Sequence, residues 1–353
     1  MRALILAGGE GSRLRPLTHT NAKQLIPVAG SPILFHALES IRDAGIAEVA
    51  IVIGSTGDEI RAAVGDGSAW GLDVTYVEQP APLGLADAVR CARDVVAGEP
   101  FLMYLGDNVL LEGVSRFVEE FERTRPDAQI FLARVPEPER FGVAVLDGDR
   151  VVRLVEKPRE PVSDLALVGV YLFDDAIHEA IDTLEPSWRG EYEITEAIQW
   201  LIDQGRTVRA EMVSGWWKDT GRPADLLEAN RVLLGALHPV PTAGEIDAAS
   251  SVEGVVVLGQ GAKVIRSRIV GPVSIGTDTV IEDSTIGPDV SIERDCVVQR
   301  STIRSSIVMQ DGRIHGVEGL ADAILGRGAE VRHSGEPGVH RLVVGDHGRV
   351  ELG

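Results

Sequence analysis

Strand and helix patterns alternate over the first two-thirds of the 353 residues, and an apolar period of 17 takes over in the last third. A cluster of chain breakers separates the two regimes. Together these observations predict an α/β domain on a mostly parallel sheet, followed by a parallel β-helix. The chain exceeds the usual size of one domain, so a division is expected in any case. The expected boundaries are 1–238 for the α/β domain, 239–250 for a linker, 251–335 for the β-helix and 336–353 for a tail.

From the N-terminus, Arg2-Ala3-Leu4-Ile5-Leu6 is a short apolar run that reads as a buried strand. Ser31 and Pro32 are placed to open a helix, as N-cap and first position. Ile33, Ala37, Leu38, Ile41 and Ala44 give that helix its apolar stripe, and Gly45 a stop. Strand-like runs follow at Val49–Ile53, Val74–Val77 and Phe101–Leu105, with helical patterns around Asp58–Val64 and Leu85–Val96. The alternation implies a Rossmann-like sheet covered on both faces. From Val143 the pattern changes to paired strands, Val143–Leu146 and Val151–Glu156, about the turn Asp147-Gly148-Asp149. Pro223–Leu237 reads as a closing helix, and His238-Pro239-Val240-Pro241-Thr242-Ala243-Gly244 as the boundary.

Beyond it the ladders Val256, Val273, Val290, Ile307, Ile324 and Leu258, Ile275, Ile292, Met309 each step by 17. So do Ile269, Ile286, Ile303, Leu320 and Val280, Val297, Ile314, Val331, with Ser267, Ser284 and Ser301 at corresponding turns. Three apolar sites spaced five or six apart in each period make a three-sided coil of hexapeptide-like repeats.

The segment after the first strand, Ala7-Gly8-Gly9-Glu10-Gly11-Ser12-Arg13-Leu14-Arg15-Pro16-Leu17-Thr18, places three glycines within four positions. A backbone without side chains brings N–H groups close to phosphate oxygens, and Arg13 adds a fork suited to them. It is neither a dinucleotide fingerprint, since Leu14 stands where a third glycine is needed, nor a P-loop, since Gly-Lys-Ser/Thr is absent. Alone, it is equally a glycine-rich turn with a surface arginine. The glycine segment and Gly106-Asp107-Asn108 both follow apolar strands, so they should share one mouth at the strand ends.

A net charge of −20 argues against non-specific binding to nucleic acid or to anionic membrane. Any phosphate ligand must be held by local cations against the overall field. Two cysteines without metal spacing suit a reduced cytoplasmic setting. The start of the chain enters a strand at once, leaving no room for a signal peptide, and no apolar run reaches transmembrane length.

The glycine segment, continued by Lys23-Gln24-Leu25-Ile26-Pro27-Val28, resembles the signature of the sugar-1-phosphate nucleotidyltransferases. The Lys-Gln-Leu-x-Pro-Val form is most similar to the thymidylyltransferases among them. The resemblance implies transfer of a thymidylyl group from dTTP to α-D-glucose 1-phosphate with Mg²⁺, giving dTDP-glucose and pyrophosphate. It implies that Leu6, Gly8, Gly9, Gly11, Ser12 and Arg13 hold the nucleotide with Gln79, Gly84 and Asp107. A primary amide at Gln79 offers donor and acceptor to the O4/N3–H edge of thymine or uracil. Asp107 and Asp219, the latter in Trp216-Trp217-Lys218-Asp219-Thr220-Gly221, resemble the metal-ligand segments. Each alone is equally a turn or cap residue. Gly142, Glu156, Lys157, Leu167, Gly169, Glu193 and Trp217 match the sugar-phosphate side, with Phe141 where the short enzymes carry Tyr. Arg13, Lys23 and Lys157 are the implied catalytic cations. The tail repeats resemble the long form of these enzymes, and resemblance to hexapeptide-repeat proteins implies a left-handed coil, whose open ends and flat faces invite homo-oligomerisation.

Three other readings remain open from the residues. One is the same chemistry with UTP or another nucleotide. The second is an acyltransferase activity in the coil, for which only His315 and His333 are placed. The third is a non-catalytic sensor, which retention of Arg13, Lys23, Asp107, Lys157 and Asp219 disfavours.

Overall fold

The apolar runs of the first two-thirds pair into one sheet of nine strands in the computed structural model, which describes residues 1–239, 243–333 and 339–352. The chain divides into two compact units, Met1–Glu10 with Leu34–Asp219, and Gly11–Ile33 with Thr220–Gly353. This differs from a single division at 238. Segment 11–33 and the helix at Pro223–Gly235 belong with the C-terminal solenoid. Of the expected boundary cluster, Val240, Pro241 and Thr242 lie outside the described residues, as do 336–338 and Gly353 of the expected tail.

The strands of the first unit are β1 (Arg2–Leu6), β2 (Glu48–Ile53), β3 (Asp73–Glu78), β4 (Phe101–Leu105), β5 (Asn108–Leu110), β6 (Ala128–Arg134), β7 (Gly142–Asp147), β8 (Arg150–Glu156), β9 (Leu165–Phe173), β10 (Val208–Met212) and β11 (Trp217–Asp219). Its large sheet has the order β3-β2-β1-β4-β9-β6-β10-β8-β7. Strands β1 to β4 are mutually parallel. Past β4 the sheet is mixed, since β9 runs antiparallel to both neighbours and β7–β8 form the expected hairpin. The helices are α1 (Ile33–Asp43), α2 (Gly57–Val64), α3 (Leu85–Cys91), α4 (Arg93–Val96), α5 (Ser115–Thr124), α6 (Ala176–Asp182), α7 (Ile194–Asp203) and α8 (Pro223–Gly235). Ser31 and Pro32 do not open α1. They pair with Val28 and Pro27 as a short antiparallel bridge, and the helix begins at Ile33. The single helix expected over 85–96 is two, broken at Ala92. Strand β9 is buried along its whole length, as a central strand between covering helices must be. Among the described residues no helix is long and apolar enough to cross a membrane.

In the second unit, three sheets of seven, five and six short strands stack in parallel, the three faces of a β-helix of the left-handed hexapeptide-like kind. The ladder Ile269, Ile286, Ile303, Leu320 pairs as expected, every member fully buried. The other ladders slip once. Ile307 pairs with Ser291 rather than Val290, and Val308, not Met309, with Ile292. On the third face Ile281, Val298, Ile314 and Val331 are the buried ladder, while Val280 and Val297 are only half-buried. A one-residue shortening is invisible to period counting where two apolar residues adjoin, as in Val280-Ile281. Burial settles the register, because each such side chain stabilises by about 1.5–3 kcal/mol when removed from water. The strands also overrun the expected limits of 251–335. Glu245–Ile246 begins one sheet and Arg349–Leu352 ends it.

Two devices make the corners. Aspartates 278, 283, 295 and 311 adopt positive φ, which a short hydrogen-bonding side chain tolerates. Serines form a column along another corner. Ser250 Oγ accepts from Ser267 N (3.0 Å), Ser267 Oγ from Ser284 N (3.0 Å), and Ser284 Oγ from Ser301 N (3.1 Å). Each hydroxyl of the last three donates to the carbonyl two residues before it.

Within this unit, two buried polar side chains tie segment 11–33 to the rest. Asn230 of α8 accepts from Ala29 N (2.8 Å) and Ser291 Oγ (2.7 Å) and donates to Asp289 O (3.2 Å). Asp346, its side chain 3% exposed, accepts from Thr20 Oγ1 and Asn21 Nδ2, both at 2.9 Å, and from the Arg327 backbone N–H and guanidinium. Arg327 Nη2 also donates to Thr20 O at 3.0 Å.

The serine column yields a stability prediction. Ser284→Ala leaves the buried N–H of Ser301 without its acceptor, at a cost of about 1–3 kcal/mol. Denaturant unfolding followed by circular dichroism checks it, and an unchanged midpoint would contradict the column's role.

Candidate active site

Parallel pairing brings three strand ends level. Ala7 N donates to Val52 O (2.8 Å), Gly106 N to Leu6 O (3.0 Å) and Gln79 N to Ile53 O (2.9 Å). Residues following β1, β3 and β4 therefore open on one edge, where ligands of such sheets bind. Leu6, Gly8 and Gly9 arrive there from β1, Gln79 from β3 and Asp107 from β4. A Cβ on Gly8 would lie 3.4 Å from Gln79 Oε1.

The remaining glycine-segment residues belong to the second unit. There Gly11 takes φ 66° and passes so close to Lys23 that an added Cβ would sit 2.8 Å from its Cβ. Thr18 Oγ1 fixes the same turn by donating to Gly11 O at 2.8 Å. Ser12 and Arg13 are exposed and Lys23 is half-buried. Next to Lys23, Gln24 is 1% exposed, and among the described residues nothing donates to its Oε1. A dry, unmatched acceptor costs about 1–3 kcal/mol. In the sequence Gln24 carries no signal beyond its place in the Lys-Gln-Leu-x-Pro-Val motif.

Gln79 is held more tightly than a surface amide. Its Nε2 donates to Gly84 O (3.1 Å) and to Asp87 Oδ2 (2.8 Å), so both amide hydrogens are spent. The expected donor-plus-acceptor edge is narrowed to the acceptor Oε1. Gly84, at φ 108°, lies against the backbone of Tyr192, where a Cβ would come within 2.5 Å of a carbonyl oxygen. Tyr192 N donates to Leu83 O and Tyr192 O accepts from Ala86 N, which stitches this loop in place.

Strands β5 and β11 pair antiparallel with Asp219 opposite Asn108, so Asp107 and Asp219 come to neighbouring positions. Asn108, 2% exposed, donates to Asp107 Oδ1 (3.1 Å) and accepts from Trp217 Nε1 (2.7 Å). Two hard carboxylates, with phosphate and water completing the shell, are a donor set that suits Mg²⁺. Among the described residues no group of three or more metal-binding side chains forms.

The sugar-side candidates gather around the β7–β8 hairpin. Gly142 pairs with Glu156, and Lys157 N donates to Phe141 O at 3.0 Å. Lys157 itself has φ 38°, a conformation that costs a non-glycine residue about 1–3 kcal/mol and is held only where function or packing demands it. Its Nζ lies 3.3 Å from Glu156 Oε1. Glu156 also accepts from Thr195 Oγ1 (3.1 Å), and Arg189 spans Glu156 and Glu193 at 3.4 and 3.1 Å. Ser187 Oγ donates to Glu193 at 2.9 Å. Leu167 and Gly169 lie at a bulge in β9, with Gly169 beside the Asn108 amide. Trp217 packs edge-on against Phe141, ring centroids 5.6 Å apart. Arg189, Thr195, Asn108 and Asp87 were not singled out from the sequence. Their only signal there was adjacency to residues that were.

Residues 2–235 match the family model described as Nucleotidyl transferase. The chain is 52% identical to a glucose-1-phosphate thymidylyltransferase of Streptomyces griseus, over 100% of this chain and 99% of that one. It is 50% identical to a glucose-1-phosphate thymidylyltransferase of Streptomyces antibioticus with the same coverage. Among solved structures, it is similar to a Bacillus anthracis protein crystallised with sucrose and provisionally assigned as a glucose-1-phosphate thymidylyltransferase. That likeness has TM-score 0.64 and 35% identity, covering 68% of this chain and 98% of that one.

Electrostatics around Glu193 give a further prediction. Burial, then the charge of Glu156, push its carboxyl above the ordinary glutamate value of 4.5, against the pull of Ser187 and Arg189. The folded chain therefore keeps a proton on Glu193 at pH values where the unfolded chain has lost it. Stability from this group is greatest at low pH and declines as pH rises from 4.5 through the native value. Glu193→Gln should flatten that segment of the profile. Unfolding midpoints taken between about pH 4 and about pH 7 check it, and an identical slope in the variant would refute the assignment.

Proposed function

Because the chain belongs to the nucleotidyl transferase family, we propose that it converts dTTP and α-D-glucose 1-phosphate into dTDP-glucose and pyrophosphate. The observation that carries this reading is identity of half or more, end to end, with two proteins of that name. The level strand ends support it, since they collect Gly8, Gln79 and Asp107 on one edge.

In this reading an oxygen of the sugar phosphate attacks the α-phosphorus of dTTP, and pyrophosphate leaves from the opposite side. The nucleophile is already anionic, so no general base is required; charge neutralisation and positioning supply the rate. Lys157 holds the attacking phosphate beside Glu156, whose carboxylate takes sugar hydroxyls together with Glu193. Arg13 takes the β- and γ-phosphates and the charge of the departing pyrophosphate, with Lys23 nearer the transferred phosphorus. Leu6, Gly8, Gly9, Gly11 and Ser12 line the nucleotide with backbone, Gln79 and Gly84 meet the base, and Gly142, Leu167, Gly169 and Trp217 wall the sugar. Asp107 and Asp219 would hold Mg²⁺, which would neutralise phosphate charge when bound. A reduced cytoplasmic setting fits two cysteines that form no disulfide, one of them buried. The solenoid's open faces favour a homo-oligomer, which light scattering of the full chain tests.

The direct test is pyrophosphate release with glucose 1-phosphate and Mg²⁺, comparing dTTP with UTP, CTP, GTP and ATP. Preference for dTTP is expected, and comparable rates with UTP would remove the thymidylyl label. Lys157→Ala and Arg13→Ala should each lower kcat by about 10²–10³. Asp107→Asn with near-normal turnover would refute the metal assignment.

A further inference from the structure

Gln79 carries a question that motif reading leaves open: which end of its amide faces the nucleotide. The two ends are opposite in hydrogen-bonding sense, and an amide decides between them only through its neighbours. Here the neighbour is Asp87, on the first turn of α3 and 5% exposed. A carboxylate only accepts, so the NH₂ of Gln79 must face Asp87 Oδ2, at 2.8 Å. The second amide hydrogen goes to Gly84 O. Among the described residues nothing donates to Oε1, which lies on the Gly8 side, at the strand-end edge.

Asp87 is in turn held from outside. Arg90 Nη2 donates to Asp87 Oδ1, and the Arg90 guanidinium stacks over the Tyr192 ring at 4.5 Å. Tyr192 is the residue whose backbone clamps the Leu83–Ala86 loop. A chain of contacts thus runs Tyr192, Arg90, Asp87, Gln79, with Asp87 accepting from both Arg90 and Gln79.

Resting on the nucleotide-binding reading above, we propose that Asp87 is a positioning residue for base selection. It locks Gln79 with its acceptor toward the base, so that bases bearing a ring N–H (thymine and uracil at N3) are taken and cytosine, whose N3 is an acceptor, is refused. The 5-methyl group plays no part in this contact, so Asp87 sorts pyrimidines by ring proton and leaves thymine against uracil to other residues.

The test is the ratio of kcat/KM for dTTP to that for dCTP, both measured on one preparation with glucose 1-phosphate. The ratio cancels any difference in the folded fraction. In Asp87→Asn, donor-only Arg90 claims the one remaining oxygen, which leaves an NH₂ facing Gln79 and works against the locked orientation. Gly84 O resists a complete turn-over, so the expected outcome is loss of discrimination rather than its reversal. The ratio should fall roughly tenfold or more, chiefly through KM for dTTP. Asp87→Ala keeps the Gly84 contact and should give a smaller fall. Ratios unchanged in both variants, while Gln79→Ala still collapses the ratio, would overturn the role of Asp87 alone. An unchanged ratio in Gln79→Ala as well would overturn the base-contact reading beneath it.

Discussion

Backbone pairing at the carboxyl ends of four adjacent parallel strands is the constraint on which the first unit's chemistry depends. The bonds from Ala7, Gly106 and Gln79 to Val52, Leu6 and Ile53 end β1, β4 and β3 at the same level. Apart from Gly84, the residues proposed for the nucleotide in this unit lie within three positions of those ends. Side chains contribute charge and shape, but their common edge is a property of register, and register is enforced by the apolar faces of strands buried on both sides. The second half of the sheet is mixed in direction, which lets the β7–β8 hairpin present Glu156 and Lys157 from a differently running pair.

Charge is distributed economically. A chain of net charge −20 must bind polyanions, and it does so by spending its acidic excess elsewhere. Several aspartates sit at the positive-φ corners of the solenoid, where Asp283 pairs with Arg266, Asp295 with Arg294 and Asp322 with Arg341. Around the sugar-side candidates the carboxylates Glu156, Glu191 and Glu193 share one arginine, Arg189. That clamp fixes the carboxylates proposed to take sugar hydroxyls, with Lys157 beside Glu156.

Much of this was legible in the residues, for physical reasons. Strands β1, β2 and β4 are buried apolar runs, β3 is the half-exposed edge strand, and the Asp147-Gly148-Asp149 turn announces its hairpin. The solenoid was visible because four apolar ladders coincide and Ser267, Ser284 and Ser301 recur at corresponding turns, whereas the hydrogen bonds that join those serines were not. What was hidden depends on neighbours that sequence spacing does not encode. The 16-residue step at Val298–Ile314 is masked by the adjacent apolar Val297. Ser31-Pro32 has every mark of a helix start, yet a bridge to Pro27-Val28 takes it. Asp87 reads as an ordinary acid favouring a helix N-terminus, and only its partner Gln79, eight residues earlier, gives it a second meaning. Segment 11–33 carries no sequence sign that it belongs with residues some two hundred positions away.

That last feature bears on how the protein is made. Thr20 and Asn21 stand between Arg13 and Lys23, and their anchor, Asp346, follows Thr20 by 326 positions. During synthesis the segment that carries two of the proposed phosphate-binding cations can meet Asn230 well before it can meet Asp346. A nascent chain that has not yet reached Asp346 lacks these bonds however well its strands have already paired.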